Sequence, residues 1–204
     1  MSGFTIVSLD DMLACFDEEK VRTILHTFSS PINKDVERFI HDKAIVFTKQ
    51  GIAKVHLVMA SYQGNRQIAG YFALANKSFI VKAKSKAISK TLKRRISKFG
   101  IYDELIKQYT VTAPLIGQLG KNLQYPQLIS GDELLYLACT EVRKAQKIVG
   151  GKFVYLECED NDKLLDFYSR NGFVPFGKRK LESDEVVNFK NAYLVQMLKY
   201  LHDE

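Results

Sequence analysis

Cysteine is scarce in this chain. Cys15, Cys139 and Cys158 are its three thiols in 204 residues. An odd number, widely scattered and without a CxxC pair, argues against a disulfide frame and for reduced thiols. Nothing beside them in sequence would lower a thiol pKa, so they read as packed apolar residues rather than nucleophiles. Long apolar runs are missing too, since no stretch approaches the roughly 18 residues that cross a bilayer. The opening "MSGFTIVSLDD" has neither the basic start nor the long apolar core of a secretory signal. These absences lead us to expect a cytoplasmic protein with no membrane partner. Repeats and low-complexity tracts are absent, and 46% hydrophobic with 26% charged residues is the composition of a globular chain.

Several catalytic signatures are missing as well. There is no GxSxG and no HExxH. His26, His41, His56 and His202 show no ligand spacing with cysteines or carboxylates, so no metal is expected. "GQLGKN" hints at a phosphate loop but breaks the GxxxxGK[ST] spacing, and Asn122 stands where a hydroxyl should follow the lysine.

Acid is missing from one segment. "KAKSKAISKTLKRRISK", Lys82 to Lys98, holds eight basic residues and no acidic one, in a chain of net charge +7. The remainder is close to neutral, so any inference about a polyanionic partner rests on this segment. Ile88, Leu92, Ile96 and Phe99 form one helical stripe within it, leaving Lys86, Lys90, Lys93, Arg94 and Lys98 on the other side. Such a face is either plain solvated surface or a contact for phosphates. The segment lacks the interleaved aromatics of a stacking surface.

What is present alternates strands and helices. "FTIVSL" predicts a strand and "DDMLACFDEEKVRTILHTF" a helix. "SSPINKDVERFIHDKAIVF" predicts a second helix, capped by Asn33 and stopped at Gly51. "AKVHLVMAS" and "QIAGYFALANKSFIVK" predict antiparallel strands joined through "YQGNRQ". After the basic helix, "YDELIKQY" reads as a short helical piece. "LIGQLGKN", after Pro114, reads as a strand. A long helix runs from near Ser130 to Gly150, followed by the strand "KFVYLECE", the helix "NDKLLDFYSRNG" and closing strands "FVPF" and "NAYLVQMLKYL". The section from Leu115 to Phe176 is strand, helix, strand, helix, strand, which favours a parallel pair. No linker interrupts residues 1–204, so a single α/β domain is expected.

Two helix starts in that section hold the candidate chemistry. Around Gly131, free N–H groups from Ile129 to Glu133 can hold a pyrophosphate with help from the helix dipole. The same residues also spell a capping box, Ser130 with Glu133 three on, and both readings stand. In "NDKLLDFYSRNGF", Asn161 can cap a helix that directs Leu164, Leu165 and Tyr168 to one face. Tyr168 is then either a core aromatic or a phenol aimed at a reacting atom.

Taken together, these segments resemble the Gcn5-related N-acetyltransferase family. Its pattern N-x5-[FL]-Y-x3-G-[FY] is filled by Asn161, Phe167, Tyr168, Gly172 and Phe173. The resemblance implies a mixed, mostly antiparallel central sheet with a splayed parallel strand pair, flanked by helices. It implies acetyl-coenzyme A as the donor, with main-chain groups of Leu119, Gly120 and Lys121 along the pantetheine. It puts the pyrophosphate at Ile129, Ser130, Gly131, Asp132 and Glu133. It carries Asn161 over as a cofactor contact, and Tyr168 as a cofactor contact and the proton donor to the leaving thiolate. The family's turn reads [QR]-x-x-G-x-[GA]; here Gly131 is kept, while Pro126 and Ile129, or Leu128 and Glu133, fill the other positions. The N-terminal half, "INKDVERFIHDKAIVFTKQGIAKVHLVM", is similar to acetyltransferases of bacterial mobile elements, a group including toxins that acetylate aminoacyl-tRNA. Its usual Cys-Gly is replaced by Ser30-Pro31-Ile32. On this alignment residues 82–110 are a basic helical insertion, with Lys82, Lys86, Lys90, Lys93, Arg94, Arg95 and Lys98 as the polyanion contact.

The expected activity is transfer of an acetyl group to a primary amine of a small molecule, a protein or an aminoacyl-tRNA. No general base is evident, Gln118 being unable to serve. The competing expectation is a noncatalytic adaptor on the same fold, binding RNA or protein. The oligomeric state stays open, a homodimer included.

Overall fold

The computed structural model describes residues 3–181 and 192–202. Asn191, which opens the expected closing strand, lies outside them. The chain divides into two compact units, Met1–Ala75 with Ile116–Thr140, and Asn76–Leu115 with Glu141–Glu204.

The first unit opens with β1 (Thr5–Ser8) and α1 (Leu9–Cys15), followed by α2 (Glu18–Leu25). One helix was expected here and two are found. Phe16 is extended, and the Asp17 carboxylate accepts from the Lys20 N–H at 2.8 Å, starting a new helix. The next expected helix is present but changes pitch. α3 (Lys34–Arg38), capped by Asn33, passes into a π-helical turn, Phe39–Lys43, and then α4 (Ala44–Lys49). β2 (Lys54–Tyr62) pairs antiparallel with the start of β3 (Asn65–Lys82) across a tight turn. Gln63 and Gly64 both have positive φ there, as a twist-matched hairpin turn requires. Leu25, Phe28, Phe39, Ile40, Leu57 and Tyr71 form the centre of this unit's core.

The second unit is built around a different core. Phe79 and Val81 of β3 meet Ile88, Leu92 and Ile96, with Val111, Phe153 and Phe176. α5 (Lys90–Phe99) packs Leu92 and Ile96 of the expected stripe, with Ile88 just ahead of the helix, while Phe99 stays 42% exposed. Lys90 with Arg94, and Arg94 with Lys98, are like charges four apart, costing ~0.2–0.5 kcal/mol each. Three buried aliphatic side chains outweigh this by several kcal/mol, at ~1.5–3 kcal/mol each. Lys82 ends β3 and Lys86 lies in the turn before α5, so the basic segment is only partly helical.

"YDELIKQY" is not helical. β4 (Ile101–Asp103) pairs antiparallel with the start of β5 (Gln108–Lys121), matching Ile101 to Thr110. The Asp103 carboxylate accepts from Leu105 N–H at 2.9 Å and Ile106 N–H at 3.2 Å, closing a turn on side-chain oxygen instead of a helix. Pro114 accordingly sits inside β5 rather than ahead of it. α6 (Gly131–Val149), β6 (Phe153–Cys158), α7 (Asp162–Arg170), β7 (Val174–Lys180) and β8 (Tyr193–Tyr200) follow in the expected order.

Among the described residues, eight strands form one open sheet in the order β1-β2-β3-β5-β6-β8-β7, with β4 on β5. It is mostly antiparallel with a parallel β5–β6 pair, which is the expected fold class. Cys139 and Cys158 are buried as expected of packed thiols, while Cys15 is exposed.

Candidate active site

The expected pantetheine strand is the end of β5, in the first unit. Gly120 is there for packing. A Cβ on it would meet Val36 Cγ1 at 2.3 Å and Tyr71 Cε1 at 3.0 Å. Leu119 and Lys121 flank it half-buried. The Lys121 ammonium donates to the Pro126 carbonyl at 2.9 Å, across the loop before α6.

Asn122, set aside in sequence as a failed phosphate-loop residue, anchors this strand end. It is fully buried and donates to the Ile68 carbonyl at 2.9 Å and the Thr27 carbonyl at 3.3 Å. Its side-chain oxygen accepts from the Ser29 and Gln124 N–H groups, both at 3.1 Å. A carboxamide serves because this position needs donors and acceptors together. Only three-dimensional proximity reveals that need.

At the start of α6 the capping box is made in full. The Glu133 carboxylate accepts from the Ser130 N–H and Oγ–H, both at 2.8 Å, and the Glu133 N–H donates to Ser130 Oγ at 3.1 Å. These bonds, the Ser130 backbone first, and the charge of Lys121 hold the Glu133 carboxyl below its usual range. Ile129 is buried, and Gly131 and Asp132 follow on the open side. A phosphate approaching here competes with the Glu133 carboxylate for the Ser130 N–H and with Ser130 Oγ for the Glu133 N–H.

β5 also brings a carboxylate that sequence spacing did not single out. Gln118 Nε2 donates to Asp35 Oδ2 at 3.2 Å, and the Asp35 charge joins burial in raising the Tyr71 phenol. Asp35 and Gln118 are 83 positions apart, so no local pattern announces the pair.

The second unit holds the other expected residues. Asn161 caps α7, its Oδ1 accepting from the Lys163 N–H at 3.0 Å. "FYSRNGF" then ends the helix in a Schellman motif. The Phe173 N–H donates to the Tyr168 carbonyl at 3.0 Å and the Gly172 N–H to the Ser169 carbonyl at 2.9 Å. Gly172 takes the left-handed conformation this needs, with φ +82°. Phe173 is buried and packs against the Tyr168 ring at 6.0 Å, with Phe167 on the ring at 4.9 Å. The Y-x3-G-F spacing is thus the geometry of one helix end, and it fixes the tyrosine ring.

The Tyr168 ring is held, but among the described residues no group accepts from or donates to its hydroxyl. Burial pushes this phenol well above its usual range, and the neighbouring Cys158 charge adds to the shift. Cys158 is itself pushed up to about 12 by burial, then by Asp160 and Glu159. Both groups therefore stay protonated at neutral pH.

Three of the four histidines pack within the first unit. His41 Nε2 bonds the Phe28 carbonyl at 2.9 Å and its ring stacks on His26 at 4.3 Å. His56 lies against Phe72 at 5.0 Å. Among the described residues no three His, Cys, Asp or Glu groups gather as a metal site. Among the described residues no helix is long and apolar enough to cross a membrane.

No family model matches the chain, and no curated protein matches it in sequence. Solved structures do match. AtaT complexed with acetyl-methionyl-tRNAfMet aligns with TM-score 0.62 at 20% identity, over 95% of this chain and 94% of that one. A tyrosine-to-phenylalanine mutant of KacT aligns with TM-score 0.63 at 17% identity, over 96% and 94%. AtaTR bound with AcCoA aligns with TM-score 0.55 at 18% identity, over 94% and 91%. AtaT is a toxin. The fold is that of the Gcn5-related N-acetyltransferases. At such identities the likeness establishes the fold, and the residue roles rest on the geometry above.

Proposed function

We propose that the chain is an N-acetyltransferase that moves an acetyl group from acetyl-coenzyme A to a primary amine. The observation that carries this reading is Tyr168, whose ring is locked by a helix-end motif while its hydroxyl has no partner among the described residues. The residue is half-buried, so the packed ring fixes where the hydroxyl points while the oxygen itself stays open to a ligand or water. In the proposed reaction the amine nitrogen attacks the thioester carbonyl. A β5 N–H among Leu119, Gly120 and Lys121 polarises that carbonyl. As the carbon–sulfur bond breaks, the Tyr168 O–H gives its proton to the departing sulfur, and solvent restores it. A phenol that stays protonated at neutral pH is loaded for this step. The proton lost by the amine goes to water, with Asp35, held by Gln118, as the carboxylate we assign to receive it.

One neighbour with this fold, AtaTR, is bound with AcCoA, and another, AtaT, is complexed with acetyl-methionyl-tRNAfMet, which supports this donor and an acceptor of that kind. The unpaired basic face of α5 favours an acceptor carried on a polyanion, so an aminoacyl-tRNA amine is our first choice among small-molecule, protein and tRNA acceptors. Ile129, Ser130, Gly131, Asp132, Glu133 and Asn161 are assigned to the cofactor, and the polypeptide to one functional domain in the cytoplasm. Free-thiol release with acetyl-coenzyme A and a panel of amines tests the activity. An undiminished rate in Tyr168→Phe removes the tyrosine from the mechanism.

One observation favours a second reading, a noncatalytic adaptor. The α6 capping box uses on a side chain donors that a pyrophosphate would need. Thermal stabilisation by millimolar acetyl-coenzyme A separates the two, since the adaptor predicts none.

A further inference from the structure

The basic segment lacks aromatics in sequence, and the fold supplies them from elsewhere in the second unit. Phe99, at the end of α5, meets Phe153 at 5.6 Å and Tyr200 at 6.5 Å. Tyr200 in turn meets His202 at 5.1 Å, and the Arg95 guanidinium lies 4.2 Å over the Tyr200 ring. Beside this cluster is a cleft of about 380 Å³ between the ends of α5, α6 and β8. Phe99, Arg143, Lys147, Lys152, Leu201 and His202 line it, and no acid is among the described lining residues. Phe99 is 42% exposed, and Lys147 and His202 are exposed.

We infer that this cleft seats one nucleotide of a single-stranded polynucleotide, its base against Phe99 and His202 and its backbone continuing along α5. Three observations converge. The volume is in the range of small-molecule sites, ~300–1,000 Å³, and suits one base with its sugar. The lining pairs planar rings with cations, the combination that holds single strands with little regard to sequence. The charge does not stop at the cleft. Lys90, Arg94 and Lys98 are four residues apart and recur every ~6 Å along one edge of the same helix. A free nucleotide would leave that row unused, whereas a strand fills both. A duplex keeps its bases stacked inside and cannot present one to the rings.

The inference rests on the acyl-transfer reading only for what the strand carries, an amine. The binding itself does not depend on it. The test is fluorescence anisotropy of the full chain, without cofactor, on labelled 12-nucleotide RNA and DNA single strands, the matching duplexes and AMP. Single strands of either sugar are expected to bind more tightly than duplex, with affinity falling as salt rises by ~0.7 in log–log slope per phosphate engaged. Lys98→Glu with Lys147→Glu is expected to weaken binding at least ~10-fold and to flatten the slope by about one to two. His202→Ala is expected to weaken it ~3–10-fold and leave the slope unchanged, because stacking releases no counterion. All three positions are exposed, and unchanged melting temperatures confirm that the variants fold. Equal affinity for duplex, wild-type binding by the variants, or AMP competing as well as the strand each overturns the inference. Acetylation of a small amine by Lys147→Glu and by His202→Ala, each alone, stays at the wild-type rate. Loss of strand binding with that rate intact, or an inactive enzyme that still binds strands, tells the two readings apart.

Discussion

The starts of α6 and α7 look alike in sequence, each a polar cap after a strand, yet they use their caps differently. At α6, Ser130 and Glu133 close on each other through three hydrogen bonds. At α7, Asn161 gives one acceptor to one N–H and keeps its own amide hydrogens outside the cap. The difference continues along the helices. α6 turns Leu134, Leu135, Ala138 and Val142 into buried positions, whereas α7 has no fully buried residue and carries the unpartnered Tyr168 hydroxyl. A self-closed cap contributes ~0.5–2 kcal/mol to the fold and leaves fewer donors for a ligand. The Asn161 cap contributes on the same scale and leaves the helix start without a carboxylate closed over it. On this comparison α7 carries the chemistry, and α6 is mainly a strut whose cofactor contact is compromised.

The largest effect that can break the comparison is at Tyr168. Tyr168→Phe removes one oxygen from a ring that stays packed, so the melting temperature should hold within ~1 °C while thiol release falls ~10²–10⁴-fold. Ser130→Ala should cost stability and little rate. Equal rate losses in the two variants would erase the distinction between the helices. Next is Gly172→Ala. A side chain at φ +82° is strained by ~1–2 kcal/mol, and the helix end that aims Tyr168 shifts with it. The expected result is a melting point lower by ~2–8 °C and a kcat lower by ~10-fold with little change in KM.

Glu133→Ala sharpens the comparison because its two effects have opposite signs. Losing the capping box should cost ~0.5–2 kcal/mol of stability. Removing a carboxylate from the helix start should strengthen acetyl-coenzyme A binding several-fold, read by calorimetry, since the Ser130 N–H and the helix dipole become available to phosphate. Unchanged or weaker binding would mean that Glu133 does not stand in the cofactor's way.

Most of the order of strands and helices along the chain was legible, because alternating apolar residues and Gly or Pro punctuation are local signals. The failures have local causes too. Asp103 turned an apparently helical "YDELIKQY" into a hairpin through side-chain bonds that hydrophobic spacing does not register. Asp17 likewise split α1 from α2. At the site, the Asn161 to Phe173 pattern was readable because one helix-end motif fixes its spacing. Asn122, the Asp35–Gln118 pair and the ring cluster around Tyr200 were not, because each joins residues distant in sequence. The role of Gly120 was also hidden, since its glycine is demanded by Val36 rather than by any turn.

The smallest effect concerns a second carboxylate that works as Glu133 does. Glu37 accepts from the Ser30 N–H and the Ser29 Oγ–H, both at 3.0 Å, and pairs with Lys34 at 2.7 Å. The Lys34 bond first, then the Ser30 backbone, hold its carboxyl down at about 2. A depressed carboxyl stabilises the fold above its unfolded pKa, near 4.3, and loses that contribution as pH falls toward 2. Glu37→Gln should therefore cost ~1–2 kcal/mol at pH 7, and its stability should then fall less steeply than wild type between pH 4.5 and 2. Chemical denaturation across that window measures both curves. Their convergence at low pH is the expected outcome. A constant gap would assign the loss to packing rather than to charge. Because Glu37 lies in α3 and far in sequence from α6, the same titration applied to Glu133→Gln shows separately whether acid also opens the α6 cap. If it does, acetyl-coenzyme A affinity in wild type should approach that of the variant as the pH falls.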